Sequence, residues 1–509
     1  MGFMNAIKNE LNNETCLTEN GAIAYHTTGK KLLDLNFAVA SLRSASEQTI
    51  VDKFMDAYYE NPTLAMRWLF YCRDVRGGLG ERRLFRVVLK HLAQNLPDVA
   101  RSVFNFAPEY GREDDIWCLL GTNLKDNVIE AIEHQLQEDK RNMSDGKSIS
   151  LLAKWLPSEN ASSKTTKAYA TIIRNGLGMT SKSYRQMLSQ MRKYIDVVER
   201  KMSAKQWGEI NYEAVPSRAN LIYNGAFLRN DEERRRAYLG ALSKGEAKIN
   251  ASTLFPHDIV HKYNVGRYSW DYAVGKTDAA LEALWKALPD TVKGNDNTIV
   301  VADGSGSMTI RVGNTGVSAL EVANALAIYF AERSSGEFKD KYITFSHSPQ
   351  LVDFSNAQTL REKIQIALRH NEVADTNIEA TFDLILKTAV NNHMSQEDMP
   401  KNVLIISDME FNQATGYRHA SNETLFKTIE NKYAAHGYKL PRLVFWNVNS
   451  RTGAIPVKEN ELGVALVSGF SPNIVNMVMS NKLDPFECLL DVLNTERYDP
   501  IEAAVKTEM

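Results

Sequence analysis

The chain has 509 residues, 44% hydrophobic and 24% charged, with a formal net charge of −2. These are ordinary values for a soluble globular protein of two to four domains, and a balanced total says nothing about local patches or partners. Four widely spaced cysteines (Cys16, Cys72, Cys118, Cys488) with no CxxC pair argue against a disulfide framework or a cysteine zinc site and fit a reducing, cytoplasmic location. The N-terminus carries no apolar signal-peptide core, Gly2 lacks the Ser or Thr at position 6 of a myristoylation signal, and no apolar run approaches 18 residues, so no membrane association is expected.

Up to about residue 285 the helical period dominates. "LAMRWLFYCRDV", "ERRLFRVVLKHLAQNL", "DNVIEAIEHQL", "YRQMLSQMRKYIDVVERKM" and "DEERRRAYLGAL" carry apolar residues three and four apart, punctuated by Pro62, Gly77-Gly78, Pro108, Pro157, Pro216 and Pro256. No strand is expected there, and paired helices with short connectors predict a helical-repeat solenoid. After Pro289 the pattern changes. Strands are predicted at "TIVVAD", "DKYITFS", "NVLIISD", "RLVFWNV" and "GVALVSGF". Helices between them are predicted at "SALEVANALAIYFAERS", "NAQTLREKIQIAL", "NIEATFDLILKTAV" and "NETLFKTIENKYAAH". Such alternation, with strands apolar throughout, predicts a parallel sheet covered on both faces. The expected division is a helical-repeat domain over 1–289, an α/β domain over 290–480 entered through the linker Asp290–Asn297, and a helical extension over 481–509 packing back on the body.

The chemistry concentrates at "TIVVADGSGSMTI". In a doubly wound sheet, ligands sit beyond the carboxyl ends of the strands. Asp303 ends one strand, Ser305 and Ser307 follow at alternate positions, and Gly304 and Gly306 let the loop fold tightly. Asp408 ends the strand of "NVLIISDMEF", and Thr376 precedes a helix in "HNEVADTNIEATF". All five offer oxygen, which suits Mg²⁺, Mn²⁺ or Ca²⁺, with Mg²⁺ the expected ion. Only two of the five are carboxylates, which leaves a divalent ion incompletely neutralised and open to one further anionic oxygen. Asp375 is expected to contribute indirectly, and Glu410 reads as an exposed loop acid. Asp303, Ser305, Ser307, Thr376 and Asp408 resemble the metal-ion-dependent adhesion site (MIDAS) of von Willebrand factor A domains. That resemblance implies a Rossmann-like α/β fold and a partner's acidic side chain completing the site.

The densest basic segment is Arg67–Lys90, with aromatic residues interleaved. Arg73, Arg76, Arg82, Arg83, Arg86 and Lys90 are its candidate phosphate-binding residues, since guanidinium groups beside open backbone amides hold phosphates bidentately. Ordinary salt bridges on a solvated face are an equal reading. Further basic clusters are "KSYRQMLSQMRKY" and "RNDEERRRAY". Helical repeats followed by an A domain resemble the Ro autoantigen (TROVE) family, and "RDVRGGLGER" is similar to that family's Arg- and Gly-rich signature. The resemblance is closer still to a group of phage, bacterial, viral and plant proteins of the same layout, through "FYCRDVRGGLGER", "PEYGREDDIW", "SLLAKWLPSEN", "YEAVPSRA", "FPHDIV", "YITFSHSPQL", "VLIISDMEF" and "LVSGFSP". It implies an arc or ring of HEAT-like repeats holding small noncoding or misfolded RNA, with the A domain closing it. An acidic protein partner at the metal site is the alternative to RNA.

His257 and His261 lie four apart, but Asp258 stands where a zinc protease needs Glu, and no third ligand follows. The acids of "PEYGREDDIW" read as helix N-terminal charges rather than a catalytic pair. No Walker loop, dinucleotide GxGxxG or GxSxG elbow is present. The expected protein is therefore not an enzyme.

Overall fold

A computed structural model describes residues 15–266, 273–292, 297–313, 315–372, 374–412, 425–456, 464–474 and 484–507. The chain forms two compact units whose boundary does not follow residue 289. One unit gathers the described parts of Met1–Thr49, Met55–Glu60 and Leu254–Asn494; the other holds Ile50–Phe54, Asn61–Thr253 and those of Thr495–Met509. Much of the expected linker Asp290–Asn297 lies outside the described residues.

The first unit begins with a hairpin, β1 (Thr15–Leu17) against β2 (Ile23–Tyr25), and carries a six-stranded sheet. The sheet strands are β3 (Thr298–Asp303), β4 (Lys341–Phe345), β5 (Gln350–Asp353), β6 (Asn402–Ser407), β7 (Arg442–Asn447) and β8 (Val464–Ser468). Their spatial order is β5-β4-β3-β6-β7-β8, parallel except for β5. Four consecutive residues of β6, Val403 to Ile406, are fully buried, as is almost every residue of β7 and β8, so both faces are covered. The helix Ala319–Arg333 is buried from Ala319 through Ala331, which explains an apolar run too broad for a one-sided stripe. Ser318 and Glu321 close it with a reciprocal capping box.

All five strands predicted after Pro289 form. β5 was not expected. It is four residues long, follows Pro349, and is an antiparallel edge strand with Leu351 exposed and Val352 buried, too short to display a period of two. The expectation of no strand before residue 285 is likewise corrected by the three-residue β1 and β2.

The second unit is helical. Its described helices include Pro62–Arg73, Arg82–Asn95, Lys125–Ser144, Lys164–Gly176, Ser181–Tyr194, Ser217–Asn230 and Glu232–Lys244. The helix predicted through "YRQMLSQMRKYIDVVERKM" is two, Ser181–Tyr194 and Val198–Ser203, separated at Asp196, whose φ of 59° is left-handed. The C-terminal helix Asp499–Lys506 joins this unit: Arg67 on Pro62–Arg73 donates to Asp499 at 2.6 Å and pairs with Glu502. Arg497 pairs with the buried Asp74, and Tyr498 stacks on Tyr110 with ring centres 5.7 Å apart.

Candidate functional site

The sheet order places β3 beside β6 where the connections reverse direction, and there the carboxyl ends of adjacent parallel strands leave a crevice. Asp303 is the last residue of β3, and Asp408 directly follows β6. The Ser407 hydroxyl donates to Asp303 Oδ2 at 2.6 Å, joining the two strand ends. The serine loop folds back on the same carboxylate: Ser305 N–H donates to Asp303 Oδ1 at 2.9 Å, and the Ser305 and Ser307 hydroxyl oxygens are 3.1 Å apart. Gly304 is required here, because a Cβ would stand 2.9 Å from Thr344 Oγ1 and 3.0 Å from Asn371 Oδ1.

The Thr376 loop is tied to both others. Gly306 N–H donates to the Ala374 carbonyl at 3.1 Å, and Asn412 N–H donates to the Thr376 carbonyl at 2.9 Å. Ser346, at the end of β4, supports it: its hydroxyl accepts from Ala374 N–H at 3.0 Å and its carbonyl accepts from Asn377 N–H at 3.0 Å. Asp303, Ser305, Thr376 and Asp408 are each at most 2% exposed. Met409, next to Asp408, has a φ of 65°, a strained conformation for a side chain of its size and of a kind that gathers at functional sites.

Both carboxyl groups are pushed above the usual carboxylate range, Asp303 by burial and Asp408 by burial and then by the charge of Asp303. Asp408 Oδ2 is buried without a hydrogen-bond donor, and the guanidinium of Arg451 stops 3.6 Å from it. A carboxylate oxygen without a hydrogen bond, beside a second buried carboxylate and hydroxyls, fits a hard divalent cation. The donor set holds no nitrogen or sulfur. Among the described residues no cluster of three His, Cys, Asp or Glu competes as a softer metal site.

Glu410 corrects the expectation of an exposed acid. It is fully buried, and its carboxylate accepts from the backbone N–H groups of Glu19 (2.9 Å), Arg451 (2.8 Å) and Thr452 (2.9 Å) and from the Thr452 hydroxyl (3.0 Å). No local signal marks this role, because the donors lie about 390 residues before and about 40 after it. Asp375 is exposed and sits 3.5 Å from His347.

The basic segment divides between internal ion pairs and exposed charge, with Arg76 among the exposed residues. Arg73 is 2% exposed and donates to Asp115 at 2.7 Å; Arg86 donates to the other Asp115 oxygen at 2.8 Å. Arg76 donates to the Glu109 carbonyl at 2.9 Å. Arg82 and Lys90 are exposed and Arg83 is half-buried. Thus "FYCRDVRGGLGER" and "PEYGREDDIW" pack on each other, and Arg73 and Arg86 hold acids of the second motif. Gly78 and Gly111 permit the approach: a Cβ at Gly78 would lie 2.0 Å from the Tyr71 carbonyl oxygen, and one at Gly111 2.4 Å from Asp115 Oδ2.

A different surface in the helical unit is more open. Between Glu159 and Asp196 the sequence has seven Lys or Arg and no Asp or Glu. Helices Lys164–Gly176 and Ser181–Tyr194 turn Ala170, Ile173, Tyr184, Met187, Leu188 and Met191 inward. Lys164, Lys167, Lys182, Arg185 and Lys193 face solvent, with Tyr194 39% exposed among them. Arg192 is used internally, donating to the carbonyls of Ala153 (2.8 Å) and Leu156 (2.6 Å). The basic cluster "KSYRQMLSQMRKY" marks half of this face in the sequence, and counting acids as well as bases extends it to Lys164 and Lys167.

All four cysteines are free, and among the described residues no helix is long and apolar enough to cross a membrane. The chain matches two family models, each described as a domain of unknown function: DUF2828 over residues 18–105 and 161–297, and DUF7788 over residues 297–503. It is 29% identical over 524 residues to an uncharacterized protein of Acanthamoeba polyphaga mimivirus, covering 95% of this chain and 88% of that one. Among solved structures, the Ro (RSR) protein of Deinococcus radiodurans aligns over 92% of this chain and 93% of its own at 12% identity, with a TM-score of 0.33.

Proposed function

We propose that the protein is a non-enzymatic RNA-binding protein of Ro type, with a helical unit that holds RNA phosphates and a sheet unit that binds a further partner through a divalent cation. The observation that carries the RNA reading is the exposed basic face of Lys164, Lys167, Lys182, Arg185 and Lys193, where the stretch itself contains no acid and only Glu159, 4.0 Å from Arg185, approaches from its edge. Exposed Tyr194 supplies a ring on which an unpaired base can stack. Arg82 and Lys90 are additional phosphate contacts; Arg73 and Arg86 are positioning residues for the fold. The layout of helices followed by an A-type sheet, which resembles the Ro family in sequence, supports the same reading.

The test is a titration of a hairpin RNA with a single-stranded tail against salt. On a single strand the five contacts of this face give a slope of log affinity against log salt of roughly −3.5, and Arg82 and Lys90 steepen it to roughly −4.9. Binding without salt dependence, or none at low salt, contradicts the proposal.

A second reading, cation-dependent protein binding, is favoured by the buried Asp408 oxygen that accepts no hydrogen bond. The cation, held by Asp303, Ser305, Ser307, Thr376 and Asp408, would supply an open place for a partner's carboxylate. Pull-downs that are unchanged by EDTA and by Asp303→Ala contradict it.

A further inference from the structure

We infer that the tip of the β1–β2 hairpin is a built-in lid on the cation site, in which Glu19, held on Arg451, stands where an external carboxylate would be recognised. This rests on reading the Asp303–Asp408 crevice as a hard-cation site.

The tip, Thr18 to Gly21, is fastened to the loops of that crevice. The Thr18 hydroxyl donates to the Phe411 carbonyl at 2.6 Å, and Glu19 N–H donates to Glu410 Oε2 at 2.9 Å. The Asn20 amide donates to the Glu410 carbonyl at 2.6 Å and to Thr376 Oγ1 at 3.3 Å. Gly21 forms a β-bridge with Asn412. The hairpin therefore reaches two of the three loops, those of Thr376 and Asp408, and contacts one proposed ligand directly.

Arg451 links the lid to the site. Its guanidinium pairs with the Glu19 carboxylate and reaches within 3.6 Å of Asp408 Oδ2. Its own backbone is fixed by Glu410, so the side chain is aimed rather than free. Buried Glu410 has its charge dispersed over backbone donors, so Arg451 is shared between Glu19, its nearer partner, and Asp408 at 3.6 Å. The pair is replaceable from solvent: the Glu19 side chain is 50% exposed and that of Arg451 30%. An incoming carboxylate would take Arg451 as one partner and the open place at the cation as the other, displacing Glu19. Arg451 is thus a specificity residue selecting an anion, and Glu19 its internal competitor.

Opposite effects of two variants test this. Mn²⁺ is bound to the full-length wild type, Glu19→Gln and Arg451→Met, and the water-proton relaxation it produces is followed as acetate is added. Acetate displacing Mn²⁺-bound water lowers the signal. Glu19→Gln is expected to respond at roughly tenfold lower acetate and Arg451→Met at roughly tenfold higher, the worth of one charge-assisted hydrogen bond. Mn²⁺ affinity should move the other way, weakening in Glu19→Gln, which leaves Arg451 to Asp408, and tightening in Arg451→Met. Wild-type acetate response in both variants, or shifts of the same sign, overturns the lid while leaving the cation site standing. Failure of the wild type to bind Mn²⁺ at all removes the cation reading and the lid with it.

Discussion

Arg73 donates its Nε–H to Asp115 at 2.7 Å with both side chains out of water, 2% and 0% exposed. A buried pair of this kind stabilises mainly because neither partner can be left alone. Arg73→Ala is expected to cost about 3–5 kcal/mol in urea unfolding. RNA affinity per folded molecule should stay unchanged; a loss there would mean that Arg73 touches RNA.

Arg185 and Lys182 are exposed on the helix Ser181–Tyr194, and Arg185 gives up only an intrahelical bond to the Ser181 carbonyl and a 4.0 Å pairing with Glu159. Replacing both with Ala should leave the unfolding midpoint within about 0.5 kcal/mol of wild type. It should flatten the salt dependence of RNA binding by about 1.4, or 0.7 per lost phosphate contact. An unchanged slope would move the RNA surface elsewhere.

Asp408 and Asp303 repel each other in a buried crevice, and that repulsion changes sign as a stability term when a cation arrives. In EDTA, Asp408→Asn should be more stable than wild type by about 1 kcal/mol. In Mg²⁺ at a hundred times its dissociation constant, wild type should gain about 2.7 kcal/mol and the variant little, reversing the order. The same ranking in both buffers would contradict the site.

Glu113 provides a pH handle. Burial, with Asp139 and Asp114 adding to it, raises its carboxyl to about 7 from an ordinary 4.5. The folded state then holds a proton that the unfolded chain has released. The associated stability is fully present below about pH 4.5 and is lost as pH rises towards 7. Wild type should therefore lose more stability between pH 5 and pH 8 than Glu113→Gln does. Parallel pH profiles would contradict this environment.

Gly78 allows the loop after the helix Pro62–Arg73 to pass 2.0 Å, measured from an imagined Cβ, from the Tyr71 carbonyl oxygen. Because that obstacle is backbone, Gly78→Ala should cost about 3 kcal/mol or more. Gly240→Ala, which meets nothing, is the control and should cost nothing.

Much of the sheet was legible because β3, β6, β7 and β8 are apolar on both faces and bounded by polar residues. The loops carrying Asp303, Ser307, Thr376 and Asp408 converge as the strand ends require. β5 and the hairpin were illegible because three or four residues cannot establish a period. Glu410 and Arg451 were missed for another reason: their roles depend on Glu19 and Asn20, close only in the folded chain. The Arg67–Lys90 segment supports a phosphate-binding and a salt-bridge reading equally when only its own charges are counted. Its acids, Asp114 and Asp115, lie outside the window but within 3.2 Å of it in space.

Anomalous diffraction from crystals of the full chain grown with Mn²⁺ tests the central claim most directly. A single strong peak should lie in the crevice between the ends of β3 and β6, with the Asp408 carboxylate and the Ser305 and Ser307 hydroxyls turned towards it. Crystals saturated with Mn²⁺ that show the same strand ends and no peak between Asp303 and Asp408 would contradict it.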